Sequence, residues 1–213
     1  MPPALPRRGD EISDVIDEAV DAIQRGNPVI LPTDTVYGLA AAALHADAVL
    51  NLYRLKGRPV TQPTALLAPD LDTLFELVPE LRGDAGVIAR TLLPGPYTLV
   101  LPNPARRYRW LTGTNNDGIG VRVPQLPEPS AELLRRVSAL AATSANLAGG
   151  PDPGRLEDVP DELRNAAAVV LDGGELPGVP STVLDFTSAE PRVLREGWAN
   201  GAEAIDRALA ATA

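Results

Sequence analysis

The chain has 213 residues and contains no cysteine, one histidine, one lysine and no long apolar run. Without cysteine there is no disulfide framework, no thiolate zinc or iron–sulfur site and no cysteine nucleophile. A single histidine, His45, leaves no room for a multi-histidine metal centre, and no protein-held metal is expected. No apolar stretch nears the ~20 residues that a membrane-spanning helix needs. The first ten residues, MPPALPRRGD, lack the apolar core of a secretion signal. The expectation is a cytoplasmic protein with no membrane partner. An excess of positive charge is missing too. Against 28 acidic residues stand 19 basic ones, a net charge of −9, which argues against a large phosphate-neutralising surface. Nucleotide and hydrolase signatures are absent as well. There is no GxxxxGK[ST] loop and no GxSxG elbow, and the pair Gly118 and Gly120 lacks the third glycine of a dinucleotide fingerprint.

What is present is an ordinary globular composition, 45% hydrophobic and 22% charged. A chain of this length buries roughly 70% of its unfolded surface. Residues 1–9, with three prolines, read as a flexible arm, and residues 10–213 as one domain. Apolar residues at helical spacing predict helices over 10–25, 46–55, 70–77, 79–92, 128–138, 157–166 and 200–211. Short apolar runs predict strands at 28–32, 64–68, 97–101, 118–123, 140–143, 168–171, 182–186 and 192–195. This alternation predicts an α/β fold, a twisted mixed sheet flanked by helices with a concave ligand cavity. The Pro/Gly-rich stretch 149–160 reads as a lid or excursion.

Of the 19 basic residues only Lys56 is a lysine, the other 18 being arginine. Where composition favours Arg so strongly, a lone Lys is a candidate for work needing a compact point charge. It is followed by Arg58, Pro59 and Pro63, an extended run in which two cations can clamp one anion. Small polar residues gather at strand ends, where α/β folds place ligands: Thr33, Asp34 and Thr35, then Thr143, Ser144 and Asn146, then Ser181 and Thr182. Arg122 and Arg195 are charges inside otherwise apolar strands. Together these describe a polar cavity with cations and hydroxyls but no nucleophile, suited to positioning anions and stabilising developing charge. The basic–aromatic run from Arg106 to Trp110 reads as a solvated loop, and His45 as a structural or surface residue.

Six motifs in order carry a resemblance: PTDTVYGL at 32–39, Lys56-Gly57-Arg58-Pro59, LPGPYT at 93–98, VRVP at 121–124, SAN at 144–146 and STVLD at 181–185. The chain from about residue 10 to 197 resembles the YrdC-like threonylcarbamoyl-AMP synthases, in their short bacterial form. The resemblance implies a nucleotidyltransferase that condenses L-threonine, bicarbonate and ATP, with Mg²⁺ on the nucleotide, to threonylcarbamoyl-AMP and pyrophosphate. The product serves the tRNA modification t6A, through downstream tRNA threonylcarbamoyl-transfer proteins. The resemblance places Thr35, Arg122, Thr143 and Ser181 on threonine, with Arg122 at its carboxylate. It places Lys56, Arg58, Gln62, Ser144, Ala145, Asn146 and Arg195 at ATP and carbonate, with Lys56 and Arg58 catalytic. Gln62 departs from the Asn found in many relatives at that position, and Leu67 from the His found in some. Two other readings remain. One is a carbamoyl-transfer module like that of hydrogenase-maturation proteins. The other is an RNA-binding or ribosome-associated factor, against which the acidic balance expects weak or no direct tRNA binding.

Overall fold

The computed structural model describes residues 9–213. The arm expected at residues 1–9 lies outside the described residues, except that Gly9 opens the first helix, α1 (Gly9–Gln24). Six further α-helices follow among the described residues: α2 (Ala46–Lys56), α3 (Leu71–Leu77), α4 (Asp84–Leu92), α5 (Ser130–Val137), α6 (Asp161–Ala166) and α7 (Gly201–Thr212). Between them run nine strands: β1 (Val29–Pro32), β2 (Tyr37–Ala42), β3 (Ala65–Leu67), β4 (Tyr97–Pro102), β5 (Gly118–Arg122), β6 (Leu140–Ser144), β7 (Val169–Val170), β8 (Thr182–Asp185) and β9 (Arg192–Arg195).

All nine strands join one mixed sheet in the order β7-β1-β2-β6-β3-β5-β4-β8-β9. The pairs β1/β7, β3/β5 and β4/β8 are parallel, and the other five are antiparallel. Helix α1 packs on β1, β2 and β7, while α7 packs on β8, β9 and α4. The α/β reading with a mixed sheet holds.

Three expectations need correction. Strand β2 was not expected: its sequence YGLAAA is poor in the β-branched residues that mark strands. It is a strand because β1 and β6 flank it and all six of its residues are buried, so small side chains suit both faces. The helix expected over 79–92 begins only at Asp84. Gly83, at φ +55, takes a backbone conformation that interrupts it. The helix expected over 157–166 divides into one 3₁₀ turn (Leu156–Asp158) and α6, with Pro160 between them.

Alternation along the strands positions the site. On β5, Ile119 and Val121 are fully buried, whereas Gly118, Gly120 and Arg122 line a cavity on the other face. On β4, Leu99 and Leu101 are fully buried while Thr98 and Val100 line the cavity, and Ser181, Val183 and Asp185 do the same around β8. Each such buried aliphatic side chain stabilises the fold by about 1.5–3 kcal/mol relative to exposure, so this register is firmly set. A one-residue slip would drive the polar set into the core.

Candidate active site

The concave face of the sheet holds a cavity of about 410 Å³. Its floor is built from small residues on adjacent strands, Gly38, Ala65, Gly118, Gly120 and Ala142, and its walls from hydroxyls and guanidinium groups. Seven of the eleven residues singled out from the sequence line it: Thr35, Arg58, Arg122, Thr143, Ser144, Ser181 and Arg195. They arrive from six different segments of the chain and meet here.

One wall is the turn between β1 and β2. Thr33 Oγ1 donates to Val36 O at 2.6 Å and accepts from the Val36 amide at 3.1 Å, closing the turn on itself. Thr35 is thereby held with its Oγ1 3.0 Å from Thr33 Oγ1. From the same turn Asp34 accepts a 2.8 Å bond from Arg122 Nη2. Arg122 is 9% exposed, and its Nε is buried with no partner. Burial pushes this guanidinium below its ordinary range and Asp34 opposes the shift. Arginine keeps its charge across the physiological range all the same. An orphaned buried N–H on a cavity wall is a donor awaiting an acceptor.

A second wall carries Arg58, just after α2. Its Nη1 donates to Thr143 Oγ1 at 3.1 Å, its Nη2 to Pro63 O, and its Nε to Gln62 Oε1 at 2.9 Å. The guanidinium also lies 5.7 Å from the centre of the Tyr53 ring. Opposite, Arg195 Nε and Nη2 donate to Ser181 O at 3.1 and 2.8 Å, and Ser181 Oγ sits 2.9 Å from Thr98 Oγ1. Among the described residues neither Arg58 nor Arg195 has a carboxylate in ion-pair contact. Asp185, on the wall, is occupied by Thr187 and Arg192. The cavity therefore presents two guanidinium groups without a carboxylate in contact, Asp152 acting on Arg195 only from further off, an arrangement suited to anions.

The other four residues lie off the wall. Lys56 is 4% exposed and donates to Ser144 O and to Asn146 Oδ1, the latter at 2.7 Å. Burial, with Arg58 nearby, lowers its pKa to about 8, and Asp152 opposes that shift. Asn146 also accepts from Ser144 Oγ at 2.8 Å and donates to Gly150 O at 2.6 Å. Lys56 thus braces the Ser144–Asn146 turn from behind. Ala145 is fully buried and its amide donates to Tyr37 O at 2.8 Å. Gln62 is exposed, its side chain bonded to Arg58 and its amide to Pro59 O, and Leu67 is core at 1% exposure.

Thr98, on the wall, was not singled out from the sequence; it sits within the LPGPYT motif, and its cavity-facing position follows from alternation with Leu99. Asp34 was noted as a polar residue at a strand end, but nothing local pairs it with Arg122, 88 residues away. The stretch 149–160 is tied down: Pro153 O accepts from the Tyr37 amide at 2.9 Å and Gly154 O from that of Leu176 at 2.8 Å. In the basic–aromatic run, Arg106 pairs with Asp117 at 2.7 Å and Arg107 with Glu80 at 2.8 Å, and Tyr108 and Trp110 pack against the core. His45 is the exposed N-cap residue of α2 and its side chain makes no capping bond.

The Sua5/YciO/YrdC family model, described as "Telomere recombination", matches residues 21–197. The threonylcarbamoyl-AMP synthase of Pyrococcus abyssi is 37% identical over 182 residues, 84% of this chain and 53% of that protein. The putative threonylcarbamoyl-AMP synthase of Mycobacterium tuberculosis H37Rv is 38% identical over 183 residues, 85% of this chain and 83% of the relative. The crystal structure of P. abyssi Sua5 complexed with L-threonine superposes with a TM-score of 0.79 at 34% identity, covering 91% of this chain and 56% of that one. The chain thus spans only about half the length of the Pyrococcus protein. With the match running through every motif that lines the cavity, the chain belongs to the Sua5/YciO/YrdC family.

Proposed function

We propose that this protein is an L-threonylcarbamoyladenylate synthase. It takes L-threonine, bicarbonate and ATP to threonylcarbamoyl-AMP and pyrophosphate in the cytoplasm, and passes the product to downstream tRNA threonylcarbamoyl-transfer proteins for t6A. The observation that carries this reading is the cavity itself, small-floored, hydroxyl-walled and cationic, with no nucleophile. Its support is that relatives sharing 37–38% identity are named as this enzyme, and a superposable relative was crystallised with L-threonine.

The chemistry asks for little else. The threonine amine attacks the bicarbonate carbon and water leaves, giving a carbamate. A carbamate oxygen then attacks the α-phosphorus of ATP and pyrophosphate departs. No covalent enzyme intermediate is needed, so the site works by proximity and by stabilising anionic charge. Arg122, with its orphaned Nε, is assigned to the threonine carboxylate, and Thr35, Thr143 and Ser181 to its polar groups. Arg58 and Arg195 face the carbonate and phosphates, and Lys56 holds the Ser144–Asn146 turn in place against them. No group of three metal-binding side chains exists among the described residues. Mg²⁺ is therefore assigned to the nucleotide as it arrives, held by phosphates and water, and no step here is routed through it.

The test is pyrophosphate release from ATP with Mg²⁺ and bicarbonate, with L-threonine, with L-serine and with no amino acid. We expect release that depends on threonine and falls by about 10²–10³-fold in Arg58→Ala, the scale of losing one preorganised charge-stabilising group. Release indifferent to the amino acid, or none at all, overturns the reading.

A further inference from the structure

The segment between β7 and β8 makes an unusual journey. β7 is the first strand of the sheet and β8 the eighth, yet they are consecutive in the chain. The connecting strap, residues 171–181, therefore crosses from one edge of the sheet towards the other and delivers Pro180 and Ser181 to the cavity wall. Its near end abuts β1 so closely that a Cβ on Gly173 would lie 2.5 Å from Pro32 Cβ. Along its length it is pinned by the Leu176 amide donating to Gly154 O at 2.8 Å and the Gly178 amide donating to Thr35 O at 3.0 Å.

Tyr37 ties this strap to the rest of the site. Its ring is fully buried in the core, but its hydroxyl emerges at the strap. There the oxygen accepts from the Gly173 amide at 2.9 Å, and its proton faces Asp172 Oδ1 and Gly174 O, both at 2.8 Å. Asp172 Oδ1 in turn accepts from the Gly174 amide at 2.9 Å. The Tyr37 backbone completes the junction: its amide donates to Pro153 O at 2.9 Å and its carbonyl accepts from Ala145 at 2.8 Å. One residue thus joins the β1–β2 turn, the SAN turn, the 150s loop and the strap.

We propose that Tyr37 is a positioning residue, whose hydroxyl clamps the strap to the β1–β2 turn and so sets the spacing between the Thr35 and Ser181 walls that hold the amino acid. The clamp reaches those walls along backbone bonds: Gly178 hangs on Thr35 O, and Ser181 lies three residues further on. Arg58 stands on the opposite side, on a segment the strap does not carry, whereas Arg195 hangs on Ser181 O and shares part of any shift there. Loosening the strap therefore widens the amino-acid end and leaves the Arg58 end in place. Burial and the Asp172 carboxylate both push the phenol above its ordinary range, so Tyr37 stays neutral and acts by geometry alone. The assignment of an amino acid to these walls rests on the proposed function; the clamp itself does not.

The experiment compares wild type with Tyr37→Phe, Asp172→Ala and Asp172→Asn. Phe keeps the buried ring and removes only the hydroxyl, and Asn keeps an acceptor at the Oδ1 position. Two readouts are taken, amide hydrogen exchange without substrate and the KM values for threonine and ATP. We expect exchange at Gly173, Gly174 and Gly178 to quicken about tenfold in Tyr37→Phe and Asp172→Ala, the scale of one lost buried hydrogen bond. The threonine KM should rise by a similar factor, about fivefold to tenfold, and the ATP KM by about twofold at most, through Arg195, with kcat nearly unchanged, and Asp172→Asn should restore both. Unchanged exchange in Tyr37→Phe overturns the clamp, even if the protein proves to have another activity. Quickened exchange with threonine and ATP KM values rising by the same factor overturns the positioning role and leaves a purely structural bond. A wild type that releases no pyrophosphate with any amino acid fails the proposed function alone, and exchange still decides the clamp.

Discussion

The ammonium of Lys56 points at two protein oxygens, Ser144 O and Asn146 Oδ1, in a site with 4% of the residue exposed. A compact three-donor head fits there, whereas a planar guanidinium needs room the packed turn does not offer. That explains why one lysine persists among 18 arginines. Its partners are protein oxygens, a finer picture than the anion clamp expected from the Lys56–Arg58 spacing. Burial makes this charge costly, which is why its pKa falls from 10.5 to about 8. Between those values the unfolded chain binds the proton and the folded chain does not. Lys56 therefore adds to the stability gained as pH rises from about 8 to 10.5. In urea titrations, the stability of wild type relative to Lys56→Met should rise between pH 7.5 and pH 10. A gap that stays flat or moves the other way shows that the ammonium is not held in this buried state.

Among the elements, β2 and β5 show what small residues do in a sheet that must both fold and leave space. On β5 a Cβ at Gly120 would have Ala65 and Thr98 as its nearest neighbours, none nearer than 3.7 Å. Gly120→Val should therefore fold while filling the cavity floor, and its affinity for threonine or ATP should drop at least tenfold. Gly197 is the contrast, since a Cβ there would lie 2.2 Å from Pro180 O, where the strap passes. Gly197→Ala should cost about 1–3 kcal/mol through forced backbone movement. Calorimetry of both variants separates the cases, and equal losses of stability would refute this reading of the floor. The elements were also where sequence reading had its reach and its limit. β4, β5 and β8 were legible as short apolar runs rich in valine, leucine and isoleucine. β2 was not, because Gly38 and the three alanines are strand residues only by virtue of two neighbours that sequence-local patterns cannot see. The site divided along the same line. Thr35, Thr143 and Ser181 stood out as polar residues ending apolar runs. The Asp34–Arg122 pair, the Thr98–Ser181 contact and the Tyr37 junction each depend on partners more than 80 residues apart.

At the level of the whole molecule, charge and topology each have consequences. Net charge is −9, and the two arginines of the basic–aromatic run with carboxylate partners are neutralised by Asp117 and Glu80. Retention of tRNA at physiological ionic strength should therefore be undetectable in a gel-shift assay. A salt-dependent shift there would revive the RNA-binding reading. No helix of the described residues is long and apolar enough to cross a membrane.

The sheet order has one more consequence, for the way the chain is made. β1 pairs with β2, and β3, β5 and β4 pair among themselves, but only β6, at residues 140–144, joins the two groups. As the polypeptide leaves the ribosome, β2 and β3 emerge early with their inner edges open, the condition in which strands recruit the wrong partners. They stay open until residue 144 follows. The strand that then closes the sheet also carries Thr143 and Ser144 into the cavity. A nascent chain stalled before that point is two unfinished sheets, and beyond it the cavity still waits for Ser181 and Arg195, so the binding site is among the last parts of the fold to be made.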